Sequence, residues 1–157
     1  RPYDIRLLNG SAIALQNGGR HDAAEQRYLR ALSIVDDASD LYYNIGGLYV
    51  SQERFDDAVA AFEQALELEG PSSDLLFRLG NARALDGQDE AAIRALNRAR
   101  DIDPGRSDVL FVLAELYFRN QAWDQARGAF RGFLERAPGP STYARIAQQR
   151  LTQIPSP

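Results

Sequence analysis

A period of 34 residues runs through this 157-residue chain and limits the folds that it can adopt. Four alanines mark the period: Ala24, Ala58, Ala92 and Ala126. A period of this length is typical of a helix–turn–helix repeat, because one such repeat cannot bury its apolar face without a neighbour. The chain is therefore predicted to be all-α, a solenoid of antiparallel helix pairs.

Two further positions keep the same period. A large apolar residue follows each alanine by four positions, and a small residue precedes each alanine by twelve. The large residues are Tyr28, Phe62, Leu96 and Phe130, and the small residues are Ala12, Gly46, Gly80 and Ala114. Small residues allow two helix backbones to approach closely. We therefore expect tight contact between helices at these positions.

The second copy of the pattern is the most complete. It contains Tyr42, Ile45-Gly46, Tyr49, Ala58, Phe62 and Ala65. This set resembles the tetratricopeptide repeat family. The resemblance implies a right-handed superhelix, a concave groove lined by the first helix of each repeat, and a role in protein binding.

Four repeats are predicted, of which the first is the weakest because Asn9-Gly10 is expected to interrupt its opening helix. The repeats cover residues 5–38, 39–72, 73–106 and 107–140, flanked by an N-terminal extension (1–4), a capping helix (141–152) and an irregular tail (153–157). Short turns within the repeats are expected at Asn17-Gly18-Gly19, Gln52-Glu53, Asp86-Gly87 and Asn120-Gln121. Prolines that cannot continue a helix close the repeats at Pro71, Pro104, Pro138 and Pro140.

Composition excludes several classes of partner. A net charge of −4 argues against binding nucleic acid, and no apolar stretch approaches the roughly 18 residues of a membrane span, so no membrane insertion is expected. The chain has no cysteine, and all 18 of its basic residues are arginine. The arginine bias indicates a GC-rich genome and hence a bacterial protein, of the cytoplasm or the periplasm. Because the chain starts at Arg1 and lacks Met, we expect a processed product or a fragment.

The resemblance implies which residues line the groove. The candidates are Tyr43, Asn44, Val50, Asp74, Phe77, Arg78, Asn81, Phe111, Glu115 and Phe118. Tyr43, Phe77, Phe111 and Phe118 form a possible aromatic ladder for ligand contact, because aromatic side chains give large contact area at low entropic cost. The alternative is that these rings pack against the adjacent repeat, and both interpretations stay open.

Three Ser-Asp dipeptides open the first helices of repeats two to four: Ser39-Asp40, Ser73-Asp74 and Ser107-Asp108. One interpretation is N-capping, in which a side-chain oxygen accepts from a free backbone N–H and the carboxylate favours the positive end of the helix dipole. The other interpretation is an acidic stripe along the groove that selects an apolar, mildly basic ligand. The two can hold together.

Some members of the family bind a C-terminal carboxylate through a clamp of Lys, Asn and Arg. Asn44 and Arg78 occupy two positions of such a clamp, but Asp74, Asn9 and Ile13 stand where the other cations and amide would be needed. No carboxylate clamp is expected. The arginines of the third repeat are interpreted as a solvated face with neighbouring acids, with a weak anionic contact as the alternative.

No catalytic constellation is evident, because His21 is the only histidine and no nucleophile stands at a suggestive spacing from it. We expect no enzyme activity, cofactor or metal. The predicted function is a protein–protein interaction module, an adaptor or scaffold that binds a peptide or helix of a partner, with a monomer slightly favoured. The alternatives are a self-associating scaffold of a bacterial assembly and a substrate-presenting domain of a larger enzyme.

Overall fold

The computed structural model of the chain describes residues 2–35, 38–137 and 139–155. These ranges contain nine α-helices and no strand, and the chain divides into two compact units, Arg1–Pro71 and Ser72–Pro157. The first unit contains α1 (Pro2–Asn17), α2 (His21–Leu32), α3 (Ser39–Ser51) and α4 (Phe55–Glu69). The second unit contains α5 (Ser73–Leu85), α6 (Asp89–Ile102), α7 (Ser107–Arg119), α8 (Trp123–Arg136) and α9 (Thr142–Gln153).

The helices pair in chain order. In the first unit α1 packs against α2 and α3 against α4, and α2 also contacts α3. In the second unit α5 packs against α6 and α7 against α8, while α6 contacts α7 and α9 covers α8. The first helices of the predicted second, third and fourth repeats begin at Ser39, Ser73 and Ser107.

The opening helix is longer and more regular than expected. α1 runs without a break from Pro2 to Asn17, so the predicted interruption at Asn9-Gly10 is wrong. Glycine inside a helix costs only about 1 kcal/mol relative to alanine. Packing of Leu8 and Ala12 into the core of the first unit outweighs that cost.

In the second and third pairs, one large side chain packs against a glycine of the partner helix. Tyr28, Phe62, Leu96 and Phe130 are all fully buried. A methyl group at Gly46 would lie 2.7 Å from the ring of Phe62, and one at Gly80 would lie 2.6 Å from Cγ of Leu96. The close approach predicted from the small residues is therefore confirmed.

The four turns within the pairs share one backbone geometry. The residues Gly19, Glu53, Gly87 and Gln121 have left-handed φ angles of 73°, 59°, 79° and 58°. Around each of them two backbone hydrogen bonds close the helix; at Glu53, for example, Glu53 N donates to Val50 O and Arg54 N donates to Tyr49 O. This is a Schellman motif, which satisfies the last carbonyls of the helix.

The N-capping interpretation is wrong for the three serines that follow the caps. The cap positions are Ala38, Ser72 and Arg106, and only Ser72 caps with its side chain, since its Oγ accepts from Leu75 N at 3.2 Å. Ser73 lies inside α5, where its hydroxyl donates to the Ala99 carbonyl at 2.9 Å. The next residues, Asp40, Asp74 and Asp108, do lie in the first helical turns, where the dipole favours a carboxylate.

The C-terminal helix α9 lies close to its predicted bounds. Ser141 caps it, with its Oγ accepting from Ala144 N at 3.1 Å, and Ala144 and Ala147 are buried in the core of the second unit. Pro138, predicted to close the fourth repeat, lies outside the described residues. Within the described ranges, every helix is too short or too polar to cross a membrane.

Candidate functional site

An apolar cavity of about 550 Å³ opens on the surface of the second unit. We call it the aromatic pocket. Its lining residues come from α5, α7, α8, α9 and the turns between them: Phe77, Asn81, Ser107, Asp108, Phe111, Val112, Phe133, Ala137, Ser141 and Tyr143. The structure thus brings three of the predicted groove residues, Phe77, Asn81 and Phe111, into one site.

The floor of the aromatic pocket is a packed cluster of rings. The ring centroid of Phe111 lies 5.1 Å from that of Phe133, 6.4 Å from that of Phe130 and 5.0 Å from that of Tyr143. Edge-to-face contacts at these distances stabilise the fold. Phe111 therefore packs against its neighbours as the second interpretation expects, and because it also lines the cavity, ligand contact stays a prediction for this ring.

Tyr143 forms an exposed wall of the pocket. It is 60% exposed, although it sits on the first turn of the capping helix and makes an edge-on contact with Phe111. The spacing of Tyr143, Ile146 and Leu151 puts these three apolar residues on one side of that helix. A large ring held in water beside a cavity is a typical contact residue of protein interfaces.

A guanidinium group lies at one end of the pocket and pairs with two carboxylates. Arg106 donates to Asp108 through Nη2 at 2.6 Å and Nε at 3.0 Å, and to Asp74 through Nη1 at 3.3 Å. Its Cζ also lies 4.7 Å from the centroid of the Phe77 ring. The hydrogen bonds from Arg106 lower the pKa of Asp108, and the same bonds raise the pKa of Arg106.

This pairing changes the charge expected for the groove. The predicted acidic stripe contains Asp74 and Asp108, but Arg106 sits between them and supplies the positive charge that a basic ligand was expected to bring. Asp74 also lies 3.8 Å from Nε of Arg78. The charges at this end of the pocket are therefore largely balanced inside the protein.

Asn81 places a polar side-chain amide at the edge of the aromatic pocket. Asn81 is half-buried at the edge of the pocket, and its side chain makes no hydrogen bond to another residue in the described part of the chain. An amide has two N–H donors and an acceptor oxygen. It can therefore pair with both the N–H and the C=O of a peptide backbone.

A second, shallower cavity of about 390 Å³ lies further along the same two helices of the second unit. Glu115 and Phe118, two more predicted groove residues, line it together with Leu85, Val112 and Arg150. Glu115 accepts from Nε and Nη2 of Arg150 at 3.1 and 3.2 Å, and the Arg150 guanidinium lies 4.7 Å from the Phe118 ring centroid. Both Glu115 and Phe118 thus help to hold α9.

The remaining candidates are engaged with neighbours inside the first unit. Tyr43 packs edge-on against Phe62, with ring centroids 6.1 Å apart. Asn44 donates from Nδ2 to Oδ1 of Asn9 at 3.1 Å, which joins α3 to α1. Val50 is half-buried near the end of α3.

Three residues of the site were not predicted from the sequence: Arg106, Tyr143 and Arg150. Arg106 belongs to the arginines of the third repeat, which are interpreted as a solvated face, and Arg150 lies among polar residues of the capping helix that give no sign of a partner. A period of 34 residues identifies equivalent positions but not contacts between non-equivalent ones. The sequence offered one signal for the contact of Arg106 with Asp108. Arg106 ends the turn that contains Pro104 and directly precedes the Ser107-Asp108 dipeptide.

Family models match this chain in sequence, and solved structures match it in fold. Three sequence models described as tetratricopeptide repeat match residues 3–69, 43–107 and 84–151. A crystal structure of the MamA protein superposes with a TM-score of 0.90 at 20% identity, covering 98% of this chain and 82% of its own. No curated protein sequence matches significantly.

Two further structures show the same fold. A tetratricopeptide repeat protein from Parabacteroides merdae has a TM-score of 0.86 at 19% identity, covering 97% of this chain and 60% of its own. YrrB, described as a TPR protein with an unusual peptide-binding site, has a TM-score of 0.78 at 24% identity, covering 93% of this chain and 75% of its own. These similarities confirm the predicted fold class.

Proposed function

Because the chain belongs to the tetratricopeptide repeat family, whose fold is typical of protein-interaction modules, we propose that it binds a peptide or helix of a partner protein at the aromatic pocket. The observation that carries this proposal is the juxtaposition of an open aromatic cavity with the uncommitted amide of Asn81. The role is that of an adaptor or scaffold, without catalysis.

The pocket suits an apolar side chain of the partner. Phe77, Val112 and Tyr143 provide its walls, and Phe111 lies in its floor. Burial of apolar area stabilises a complex by roughly 25 cal/mol per Å², before the entropic cost of association is subtracted. A single Leu or Phe side chain would therefore contribute much of the affinity, and Asn81 would orient the backbone beside it.

The charge pattern favours a ligand with little net charge at this position. Arg106 already pairs with Asp74 and Asp108, so a basic group on the ligand would have to compete with an internal guanidinium. This modifies the mildly basic ligand expected from the sequence. The peptide-binding site in the description of YrrB belongs to that protein, and it supports peptide binding here only by similarity of fold.

The proposal is tested by capturing partners with a variant that changes the pocket and not the core. Truncating Phe111 or Phe118 would disturb the fold, because both rings pack against Phe130. We choose instead Tyr143→Ser combined with Asn81→Ala. The control is Ile102→Ser, which removes an apolar side chain of comparable exposure, 51%, that lies away from the pocket.

The wild-type protein and both variants would be immobilised, exposed to native extract and compared by quantitative mass spectrometry. A partner retained by the wild type and by Ile102→Ser, but reduced about tenfold on the double variant, supports the pocket; removing a central contact costs at least about 1.4 kcal/mol. Equal retention on all three places binding on another surface. Concentration-dependent mass in light scattering without any partner would favour the self-associating scaffold.

A further inference from the structure

The first helix pair exposes a surface that the second pair buries. Leu7 stands 34 residues before Leu41, yet Leu7 is 70% exposed while Leu41 is 3% exposed. The same contrast holds along the helix, since Ala14 is exposed and its equivalent Leu48 is fully buried. Leu7 and Ala14 therefore lie on the helix face whose equivalent in the second pair is buried.

The contacts of α3 show what kind of element covers this face. Leu41 and Leu48 belong to the core of the first unit, and α2, the second helix of the preceding pair, packs against α3. In the second unit the equivalent residue Val109 is fully buried, and α6 packs against α7 in the same way. At every such junction within a unit, the covering element is an amphipathic helix.

The charges beside Leu7 differ from those at the inner junctions. Arg27 occupies the position that the buried Ala61 holds in the second pair, and Arg27 and Arg30 line a shallow groove of about 250 Å³ together with Leu7, Leu8 and Ile34. The Arg30 carbonyl accepts from Ser33 Oγ, but neither guanidinium group makes a hydrogen bond or ion pair to another residue in the described ranges. An apolar strip edged by two available guanidinium groups is complementary to an apolar strip edged by carboxylates.

We infer that this N-terminal face, formed by Leu7, Ala14, Arg27 and Arg30, docks an amphipathic helix with acidic residues beside its apolar stripe. The partner helix would pack on Leu7 as α2 packs on Leu41, and its carboxylates would pair with Arg27 and Arg30. A second copy of this chain fits less well, because a symmetric contact would bring the same arginines together. The site is independent of the aromatic pocket.

The inference is tested with a designed probe. The probe is a fluorescein-labelled peptide of about 20 residues, long enough to form a helix, with Leu and Ala along one stripe and Glu at the positions that flank this stripe. A matched peptide carries Lys in place of Glu. Fluorescence anisotropy would measure binding of both peptides to the wild type, to Leu7→Ser, to Arg27→Ala/Arg30→Ala and to Tyr143→Ser.

We expect saturable binding of the Glu peptide, weaker by about tenfold or more for Leu7→Ser and for the double arginine variant, and unchanged for Tyr143→Ser. Binding should also weaken with added salt, because solvent-exposed ion pairs are screened. Leu7 is so exposed that its substitution should leave the helix content of the protein unchanged, which circular dichroism would verify.

Four results would overturn the inference. The first is the absence of saturable binding to the Glu peptide, and the second is equal binding of the Glu and Lys peptides. The third is a dimer of the wild type in sedimentation velocity that Leu7→Ser dissolves, which would make a second copy the occupant. Loss of binding in Tyr143→Ser alone would instead assign the probe to the aromatic pocket, and would also count against this face.

Discussion

Arg106 holds the carboxylate of Asp108 with two hydrogen bonds, Nη2 to Oδ2 at 2.6 Å and Nε to Oδ1 at 3.0 Å. The two residues flank the start of α7, so one two-pronged contact ties the turn before the helix to its first turn. The third nitrogen of the same guanidinium group, Nη1, donates a hydrogen bond to Asp74 on α5. One side chain therefore links two first helices at the edge of the aromatic pocket.

Loss of the Arg106 contact should raise the pKa of Asp108. The hydrogen bonds from Arg106 are the largest cause of its lowered pKa. Because the folded-state pKa lies below the unfolded one, this contact stabilises the fold above about pH 4 and stops doing so as the pH falls through the folded pKa. NMR titration of the Asp108 carboxyl carbon in the wild type and in Arg106→Gln would measure the shift.

The control for that titration is Arg94→Gln, since Arg94 is exposed and pairs with Glu90 at 3.9 Å. It should leave the Asp108 titration unchanged. An Asp108 carboxyl that titrates identically in the wild type and in Arg106→Gln would contradict the assignment of the cause.

Glycine at two of the four left-handed turn positions should stabilise the protein. Glu53 and Gln121 have φ angles of 59° and 58°, at which a side chain costs about 1–2 kcal/mol, whereas the equivalent positions 19 and 87 already hold glycine. After allowing for the greater entropy of glycine in the unfolded chain, each of Glu53→Gly and Gln121→Gly should gain about 0.5–1 kcal/mol. Urea unfolding would measure the gain.

The reverse change, Gly87→Gln, should cost about 1 kcal/mol at the equivalent turn of the third repeat. If Glu53→Gly and Gly87→Gln moved the unfolding midpoint in the same direction, the explanation from backbone strain would fail.

Alanine should have opposite effects at two glycines of the second unit. In Gly80→Ala the new methyl group would meet Leu96 at 2.6 Å and the Ala92 carbonyl at 3.3 Å, so we expect a loss of about 1–3 kcal/mol. Gly128 has no atom within 4 Å of the same point, and Gly128→Ala should gain about 0.5–1 kcal/mol from helix propensity. Thermal and urea unfolding of both variants would compare them.

A double variant isolates the cause of the Gly80 effect. Leu96→Ala removes the side chain that the methyl group would strike, so Gly80→Ala should cost less in that background than in the wild type. Additive losses would show that the clash with Leu96 is not what makes glycine necessary.

The ion pair between Glu115 and Arg150 should contribute modestly to the docking of α9. Both side chains are about one-third exposed, at 31% and 36%, so a coupling energy of about 0.5–1 kcal/mol is expected from a double-mutant cycle with Glu115→Gln and Arg150→Gln. Added salt should reduce the coupling. Amide hydrogen exchange in α9 should be faster in Arg150→Gln, and unchanged exchange there would mean that the apolar contacts of α9, and not this ion pair, hold the helix.

The periodic features of this protein could be predicted from its sequence. The fully buried Ala24, Ala58, Ala92 and Ala126, the tight contacts at Gly46 and Gly80 and the capping helix all follow from residue type and spacing. These features are local or repeat with the chain period, and the hydrophobic effect requires the same positions to be buried in each copy.

The side-chain contacts that shape the candidate site could not be predicted from the period of the sequence. Arg106 contacts Asp74 across 32 residues, and Arg150 contacts Glu115 across 35, between positions that are not equivalent in the repeat. The turns at Glu53 and Gln121 were predicted, but their left-handed conformation was not, because neither residue type signals a positive φ angle.

The amino-acid sequence by itself determined the helices, their pairing and the positions of the core, because propensity and apolar spacing act within one repeat. Only the tertiary structure decided that Arg106 neutralises the acidic stripe, that Tyr143 walls the aromatic pocket and that Leu7 remains in water. These outcomes depend on which side chains meet once the helices have packed. A long arginine or tyrosine side chain has several rotamers, and its partner is selected by the geometry of neighbouring helices.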